Sequence, residues 1–312
     1  MKHIAVVGSL NVDSVVGLAR FPGPGETVVG RDHNLFPGGK GANQAFAAGR
    51  LLMNTDVHVR MLGQVGGDAH ADWLRQNLAQ VGVNTDGVLV DAAVSSGVAI
   101  IGIEDGGQNR IIVVPGANGT FNPQRFASVH ALLDDAAFVL LQLEVPLETV
   151  HAAARKARAC GAAVILDPAP ATALPASLLG ATDFVTPNES ELRTLLNQAP
   201  SEAPLTLSQA QAGAQALLQQ GARNVLVKMG GQGAANWGEA GHFHWPAFDV
   251  NPVDTTAAGD AFNAGLAAAL AQGQTLATAG RFACATAAMA VTRKGAQPAM
   301  PTRQEVEALM RT

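Results

Sequence analysis

Short apolar runs rich in β-branched residues recur along the 312-residue chain at Ile4–Gly8, Val57–Leu62, Phe138–Leu143, Ala163–Leu166, Phe184–Thr186 and Asn224–Val227. Segments with helical periodicity lie between most of them, at Ala42–Leu52, His70–Val81, Leu147–Cys160 and Leu207–Gln220. Strands alternating with helices predict an α/β fold with a mostly parallel sheet covered on both faces. In such sheets ligands sit beyond the carboxyl ends of the strands. With 48% hydrophobic and only 14% charged residues, the chain can bury a large core. Its length suits a single domain spanning residues 1–312, with room for a small appendage.

Two regions break the alternation. Residues 15–36 contain FPGPGETVVG and no helical pattern. Residues 95–114 read as two alternating strands around an Asp-Gly-Gly turn, a hairpin signal. The two regions could pair into a small sheet that stands off the main body as a lid, or could be edge hairpins of the main sheet.

The net charge of −5 argues against nucleic acid or an acidic membrane as the main partner, but leaves a small anionic ligand open. Cys160 and Cys284 are far apart and match no metal or redox spacing, so they read as free thiols in a reducing cytoplasm. The opening MKHIAVVGSLNVD has an apolar run too short for a signal peptide or a membrane span.

The segment from Asp254 to Gly265, DTTAAGDAFNAG, carries the strongest chemical signal. Small residues precede a lone carboxylate, Asp260, and an Ala-rich run predicts a helix starting near Gly259. Backbone N–H groups at such a start converge on one point, and the helix dipole adds partial positive charge there. An anion cradle with a carboxylate at its mouth suits phosphoryl transfer to an alcohol. The plainer reading is a helix start with an acidic first turn.

Other motifs follow the expected strand ends. GSLNVD reads as the end of the first strand; Asn11 and Asp13 alternate along an extended chain, so both can address one polyol, although both types are also ordinary turn formers. FPGGKGANQAFAAG is a glycine-rich turn opening a helix; it lacks the GxxxxGK[ST] spacing, and Gly39, Lys40 and Asn43 fit polyol binding better. Glu144 follows FVLLQL and is placed for substrate or metal-bound water, or could be a solvent-facing loop acid. In PNESE, Asn188 and Glu191 could orient Mg²⁺-bound waters around phosphates, or could simply cap a helix. The turn Lys228-Met229-Gly230-Gly231-Gln232-Gly233 can lie against a nucleotide, although glycine-rich turns are common. Two cations in VTRKGAQP do not make a nucleic-acid site.

Taken in order, GSLNVD, GGKGANQ, QLE, PNESE and DTTAAGDAFNAG resemble the ribokinase-like sugar kinases, also called the phosphofructokinase-B type, from Ile4 to about Pro301. GGKGANQAFAAGR, LQLEVPLETV, DPAPA and VTRKGAQPAMP look most like the members that phosphorylate D-ribose. The resemblance implies a three-layer α/β/α body with a small β-sheet lid, and a homodimer whose lids clasp. It implies ATP-dependent phosphorylation of the 5-hydroxyl of D-ribose, with Mg²⁺ and a monovalent activator, normally K⁺. Asn11, Asp13, Gly39, Lys40, Asn43 and Glu144 match the family's sugar contacts, and Asp260 its catalytic base. Ala257, Ala258 and Gly259 match its anion hole. Asn188 and Glu191 match the Mg²⁺/phosphate motif, and Lys228, Gly230, Gly231, Gln232 and Gly233 the nucleotide loop, with Asn263 nearby. Asp254, Thr256, Ala290, Arg293 and Gly295 match the monovalent-cation site, mostly through carbonyl oxygens. The alternatives are a kinase for 2-deoxyribose, a nucleoside or a ketohexose, and a sugar-binding relative without catalysis.

Three positions depart from the family pattern. The broad signature prefers Gly at Ala257, though the members most like this chain often carry Ala. Many of them have a serine at Ala299 that helps hold the cation, and some place a histidine near adenine at Cys284.

Overall fold

The computed structural model describes residues 3–312. Strands run at β1 (His3–Val7), β2 (Asn11–Leu18), β3 (Asp32–Gly38), β4 (His58–Gly66), β5 (Val83–Asp91), β6 (Gly97–Glu104) and β7 (Asn109–Val114). They continue at β8 (Ala136–Leu141), β9 (Ala163–Leu166), β10 (Phe184–Val185), β11 (Asn224–Lys228), β12 (Ala234–Gly238) and β13 (Phe243–Trp245). Among the described residues these make a nine-stranded sheet in the order β13-β12-β11-β10-β9-β8-β1-β4-β5 and a separate four-stranded sheet in the order β3-β2-β6-β7. From β11 to β5 the large sheet is parallel; β12 and β13 pair antiparallel at its edge.

Each central strand feeds both faces because successive side chains point in opposite directions. In β1, Ile4 and Val6 pack into one core with the helices Lys40–Leu52, Ala258–Ala271 and Leu276–Ala290. Ala5 and Val7 pack into the opposite core with the helix Leu147–Ala159. The helix Leu207–Gln219 covers the same sheet further along, over Val225 and Val227. This is the three-layer α/β/α arrangement expected. The helix Ala258–Ala271 is apolar nearly all round because it is buried nearly all round. Its small side chains allow close approach: a Cβ on Gly265 would lie 2.7 Å from Thr286 Oγ1.

The small sheet is built from both regions that broke the alternation, so they are not edge hairpins of the main sheet. Its first strand begins earlier than the pattern suggested. GSLNVD does not end the first strand; β1 stops at Val7, and Asn11 and Asp13 open β2. β5 and β13 had no clear apolar run, because they lie at the sheet edges and are partly exposed; β12 is buried, but its run AANWG is short and interrupted by Asn236. All residues of β7 are exposed, Ile111, Ile112, Val113 and Val114 among them. No helix among the described residues is long and apolar enough to cross a membrane.

Candidate active site

The carboxyl ends of β1, β8, β9 and β11 deliver Ser9, Glu144, Asp167 and Lys228 to one cleft, as the topology requires. The N-termini of the helices Lys40–Leu52 and Ala258–Ala271 face the same place, bringing Asn43, Gln44 and Asp260 together.

Asp260 sits in the first turn of its helix and is 4% exposed. Asn43 Nδ2 donates to its Oδ2 at 3.1 Å and Gln44 Nε2 to its Oδ1 at 3.0 Å. Burial pushes its carboxyl up to about 6, with Lys40 and these two donors opposing and Asp167 adding to the rise. A carboxylate in that range is ionised at neutral pH yet basic enough to accept a proton. Ala257, just before the helix, takes the left-handed conformation with φ 58°. This explains the family's preference for Gly at that position. No side chain caps this helix start. Of the expected cradle groups, Ala258 N–H is directed at Thr255 O at 3.2 Å. Gly259 lies beside Lys228, whose Nζ would be 3.0 Å from a Cβ at that position.

The positive groups are embedded among carboxylates. Burial opposes the charge of Lys40, but Asp260, Asp167, Glu144 and Glu191 outweigh it and hold the ammonium above its ordinary range. Lys228 is likewise buried, and Asp167 and Glu191 reverse that effect. Lys228 Nζ lies 2.8 Å from Asp167 Oδ1.

On the proposed sugar side, Ser9 Oγ and Lys40 N–H donate to Glu144 Oε2 at 2.6 and 3.0 Å. The glycines of GGKG are required here. Gly39 has φ 88°, and a Cβ on Gly41 would meet Ser9 N at 2.6 Å. A Cβ on Gly38 would strike Asp13 Oδ2 at 2.2 Å. Burial, with Glu144 and Asp260 as like charges, pushes Asp13 up to about 7. Asn11 is buried, and its Oδ1 accepts from Asn118 Nδ2 at 2.7 Å. Asn43 Oδ1 accepts from Gln297 Nε2 at 3.1 Å, so both amides are already oriented by the protein.

On the proposed nucleotide side, Asn188 and Glu191 form a complete capping box for the helix Glu189–Leu195. The plain capping reading therefore holds. The box fixes the Glu191 carboxylate, with Asn188 N–H and Nδ2 donating at 2.7 and 2.8 Å, and burial raises its pKa. Among the described residues no three His, Cys, Asp or Glu side chains gather to hold a metal. A lone fixed carboxylate fits the outer sphere of a Mg²⁺ ion carried on phosphates. In the turn after β11, Gly230 and Gly231 are open to solvent, whereas Gln232 Nε2 donates to Leu205 O at 2.8 Å. Gly233 is structural: φ is 89° and a Cβ would lie 1.9 Å from Trp245 O. Asn263, one turn beyond Asp260, is fully buried, and neither its Oδ1 nor its Nδ2 has a partner among the described residues. Cys284 is buried against Trp245, and burial pushes its thiol up to about 12.

Asp254 ties the loop before the helix Ala258–Ala271 to the Arg293–Gly295 turn. Its Oδ1 accepts from Thr256 N–H at 2.9 Å and Oγ1 at 2.6 Å, and its Oδ2 from Gly295 N–H at 2.8 Å. Burial alone would raise its carboxyl; these bonds outweigh it and hold it low. Ala290 lies at the end of the helix Leu276–Ala290, and Arg293 N–H reaches back to its carbonyl at 3.4 Å. Ala299 is fully buried.

Sequence reasoning did not single out Ser9, Gln44, Asn118, Asp167 or Gln297. Gln44 and Asp167 stand inside quoted segments, GGKGANQ and DPAPA, and a buried polar residue beside a glycine turn or strand end was the available signal. Gln297 likewise stands inside VTRKGAQPAMP, close to Gly295, whereas Asn118 carried no local signal.

The model of the pfkB family of carbohydrate kinases matches residues 1–303. A curated ribokinase of Schizosaccharomyces pombe is 39% identical over 98% of this chain and 97% of its own. A deoxyribokinase of Salmonella typhi is 38% identical over 97% of this chain and 96% of its own. The structure of Arabidopsis thaliana ribokinase complexed with ribose and ATP superposes with TM-score 0.91 at 34% identity, covering 99% of this chain and 98% of that one. The chain belongs to the pfkB family of carbohydrate kinases.

Proposed function

We propose that the chain transfers the γ-phosphoryl group of ATP to the 5-hydroxyl of D-ribose, giving D-ribose 5-phosphate and ADP. The observation that carries this reading is Asp260. It is a buried carboxylate, clamped by two amides, at an uncapped helix start. The likeness to ribokinases over nearly the whole chain supports the sugar.

In this reading Asn11, Asp13, Gly39, Lys40, Asn43 and Glu144 hold the sugar, and Asp260 takes the hydroxyl proton as the oxygen attacks in line. The backbone of Ala257, Ala258 and Gly259 receives the charge that spreads over the transferred group. Lys228, Gly230, Gly231, Gln232, Gly233 and Asn263 line the nucleotide. Mg²⁺ bound on the phosphates supplies charge neutralisation, and Asn188 with Glu191 would orient its waters. Asp254, Thr256, Ala290, Arg293 and Gly295 would hold K⁺, which stiffens the loop that carries the cradle.

The small sheet serves as the lid, formed by about residues 15–36 and 95–114. Its exposed apolar strand β7 supports a homodimer in which two lids cover each other. Free Cys160 and Cys284 accord with a reducing cytoplasm. The likeness to a deoxyribokinase favours one second reading, 2-deoxyribose as acceptor. Turnover on a panel of free pentoses, hexoses and nucleosides tests both. D-ribose should give the highest kcat/KM, and a preference for 2-deoxyribose, a hexose or a nucleoside would overturn the first reading.

A further inference from the structure

Lys228 stands at a place the nucleotide-loop motif does not account for. Its backbone ends β11, where its N–H donates to Pro187 O at 2.9 Å. Its side chain does not follow the turn toward Gly230 and Gly231. It runs inward, 11% exposed, to Asp167 Oδ1 at 2.8 Å and to the helix start at Gly259. A helix N-terminus carries partial positive charge, so an ammonium beside it is repelled unless anions share the space. Asp167 supplies one anion in direct contact, and Glu191 and Asp260 act on the ammonium from further off. Its other oxygen, Oδ2, accepts from Gln44 Nε2 at 3.0 Å, and the same nitrogen donates to Asp260. Four side chains therefore form one continuous set from the base to the cation: Asp260, Gln44, Asp167 and Lys228.

On the reading given above, the negative charge that completes this arrangement is the phosphoryl group in flight, which passes between Asp260 and the helix start. We infer that the Lys228 ammonium contacts the transferring phosphoryl group directly, as a catalytic residue, and that Asp167 is the positioning residue that aims it. The lysine adds a full charge where backbone N–H groups supply only partial ones. The pairing with Asp167 keeps the long side chain extended into the cleft rather than out along the glycine turn.

The test compares wild type with Lys228→Met, Lys228→Arg, Asp167→Asn and the double variant Lys228→Met/Asp167→Asn. The readouts are kcat on D-ribose and affinities for MgADP and for the non-hydrolysable β,γ-imido analogue of MgATP, with folding checked by thermal melting. Lys228→Met should lower kcat by about 10²–10³-fold, the loss typical of one transition-state donor. It should weaken the imido analogue but leave MgADP affinity unchanged, and Lys228→Arg should recover part of kcat. Asp167→Asn should lower kcat less, with no further loss when added to Lys228→Met. Lys228→Met leaves a buried carboxylate unpaired, so the double variant, which has no orphan charge, carries the comparison if the single one does not fold. Wild-type kcat in the double variant, or an equal loss of MgADP affinity, would overturn the inference. The analogue-against-MgADP comparison needs no sugar. It therefore judges Lys228 even if wild type fails to phosphorylate ribose, which would count against the sugar reading alone.

Discussion

One side-chain nitrogen, Gln44 Nε2, donates to both Asp260 Oδ1 and Asp167 Oδ2, each at 3.0 Å. An amide NH₂ has two hydrogens, so both bonds can be made at once. Gln44 Oε1 is itself held by Gln142 Nε2 at 2.7 Å, which fixes the way the amide points. Two buried carboxylates are thereby kept apart and oriented, one toward Asn43 and the other toward Lys228.

Replacing Asp260 by Asn keeps the size but removes the proton acceptor, and it turns one of the two accepting oxygens into an NH₂ that can no longer accept from Asn43 or Gln44. Turnover should fall by about 10²–10⁴-fold while nucleotide and sugar binding persist. Steady-state kinetics with calorimetric binding checks this; near wild-type kcat would remove Asp260 from the role.

The pH dependence follows from two raised carboxyls, Asp260 and Asp13. Asp260 at about 6 must be ionised to act as base, and Asp13 at about 7 to make charge-assisted bonds to the sugar, so kcat/KM should rise with pH through both values and level off above about 7. For stability the sign is opposite. Asp260 and Asp13, at about 6 and about 7 in the folded chain, keep protons that the unfolded chain releases near 4. The folded state binds more protons in that window, so these groups lose stability as pH rises from about 4 to 7. Melting curves of wild type and Asp13→Asn across that window check it: Asp13→Asn should flatten the decline.

Asp13→Ala should weaken the sugar far more than ATP. Charge-assisted hydrogen bonds to hydroxyls contribute about 1.5–3 kcal/mol each, so the ribose KM should rise roughly 10²-fold. The KM for ATP should barely move. Equal weakening of both substrates would refute a two-ended cleft.

Potassium should activate more than sodium, because the loop tied by Asp254 carries the helix start. Initial rates in matched KCl, NaCl and a bulky organic cation measure this. Ala299 in place of a serine should make the preference shallow. Identical rates in all three salts would sink the cation site.

Ala257 has φ 58°, a conformation that costs a non-glycine residue about 1–2 kcal/mol. Ala257→Gly should therefore fold and turn over like wild type. Ala257→Val, β-branched in the left-handed region, should lower both the melting temperature and kcat. A valine variant as active and stable as wild type would show that the loop does not depend on this geometry.

Read alone, the amino-acid sequence determined the layered α/β class and most central strands, because strand and helix periodicities are local and each buried strand declares itself in a few consecutive residues. Ala163–Leu166 was legible to the residue. The glycines of GGKG and the small residues before Asp260 were legible too, since close backbone approach leaves a compositional trace. Edge strands such as β13 were not, because exposure dilutes their apolar pattern. Nor were the partners of the reactive groups. Gln44 lies 123 residues from Asp167 and 216 from Asp260, and Lys228 lies 61 from Asp167. Which buried polar side chain satisfies which is decided by how distant strand ends and helix starts converge. Only the tertiary structure sets that, because a buried donor or acceptor must find its partner in space and leaves no mark along the chain.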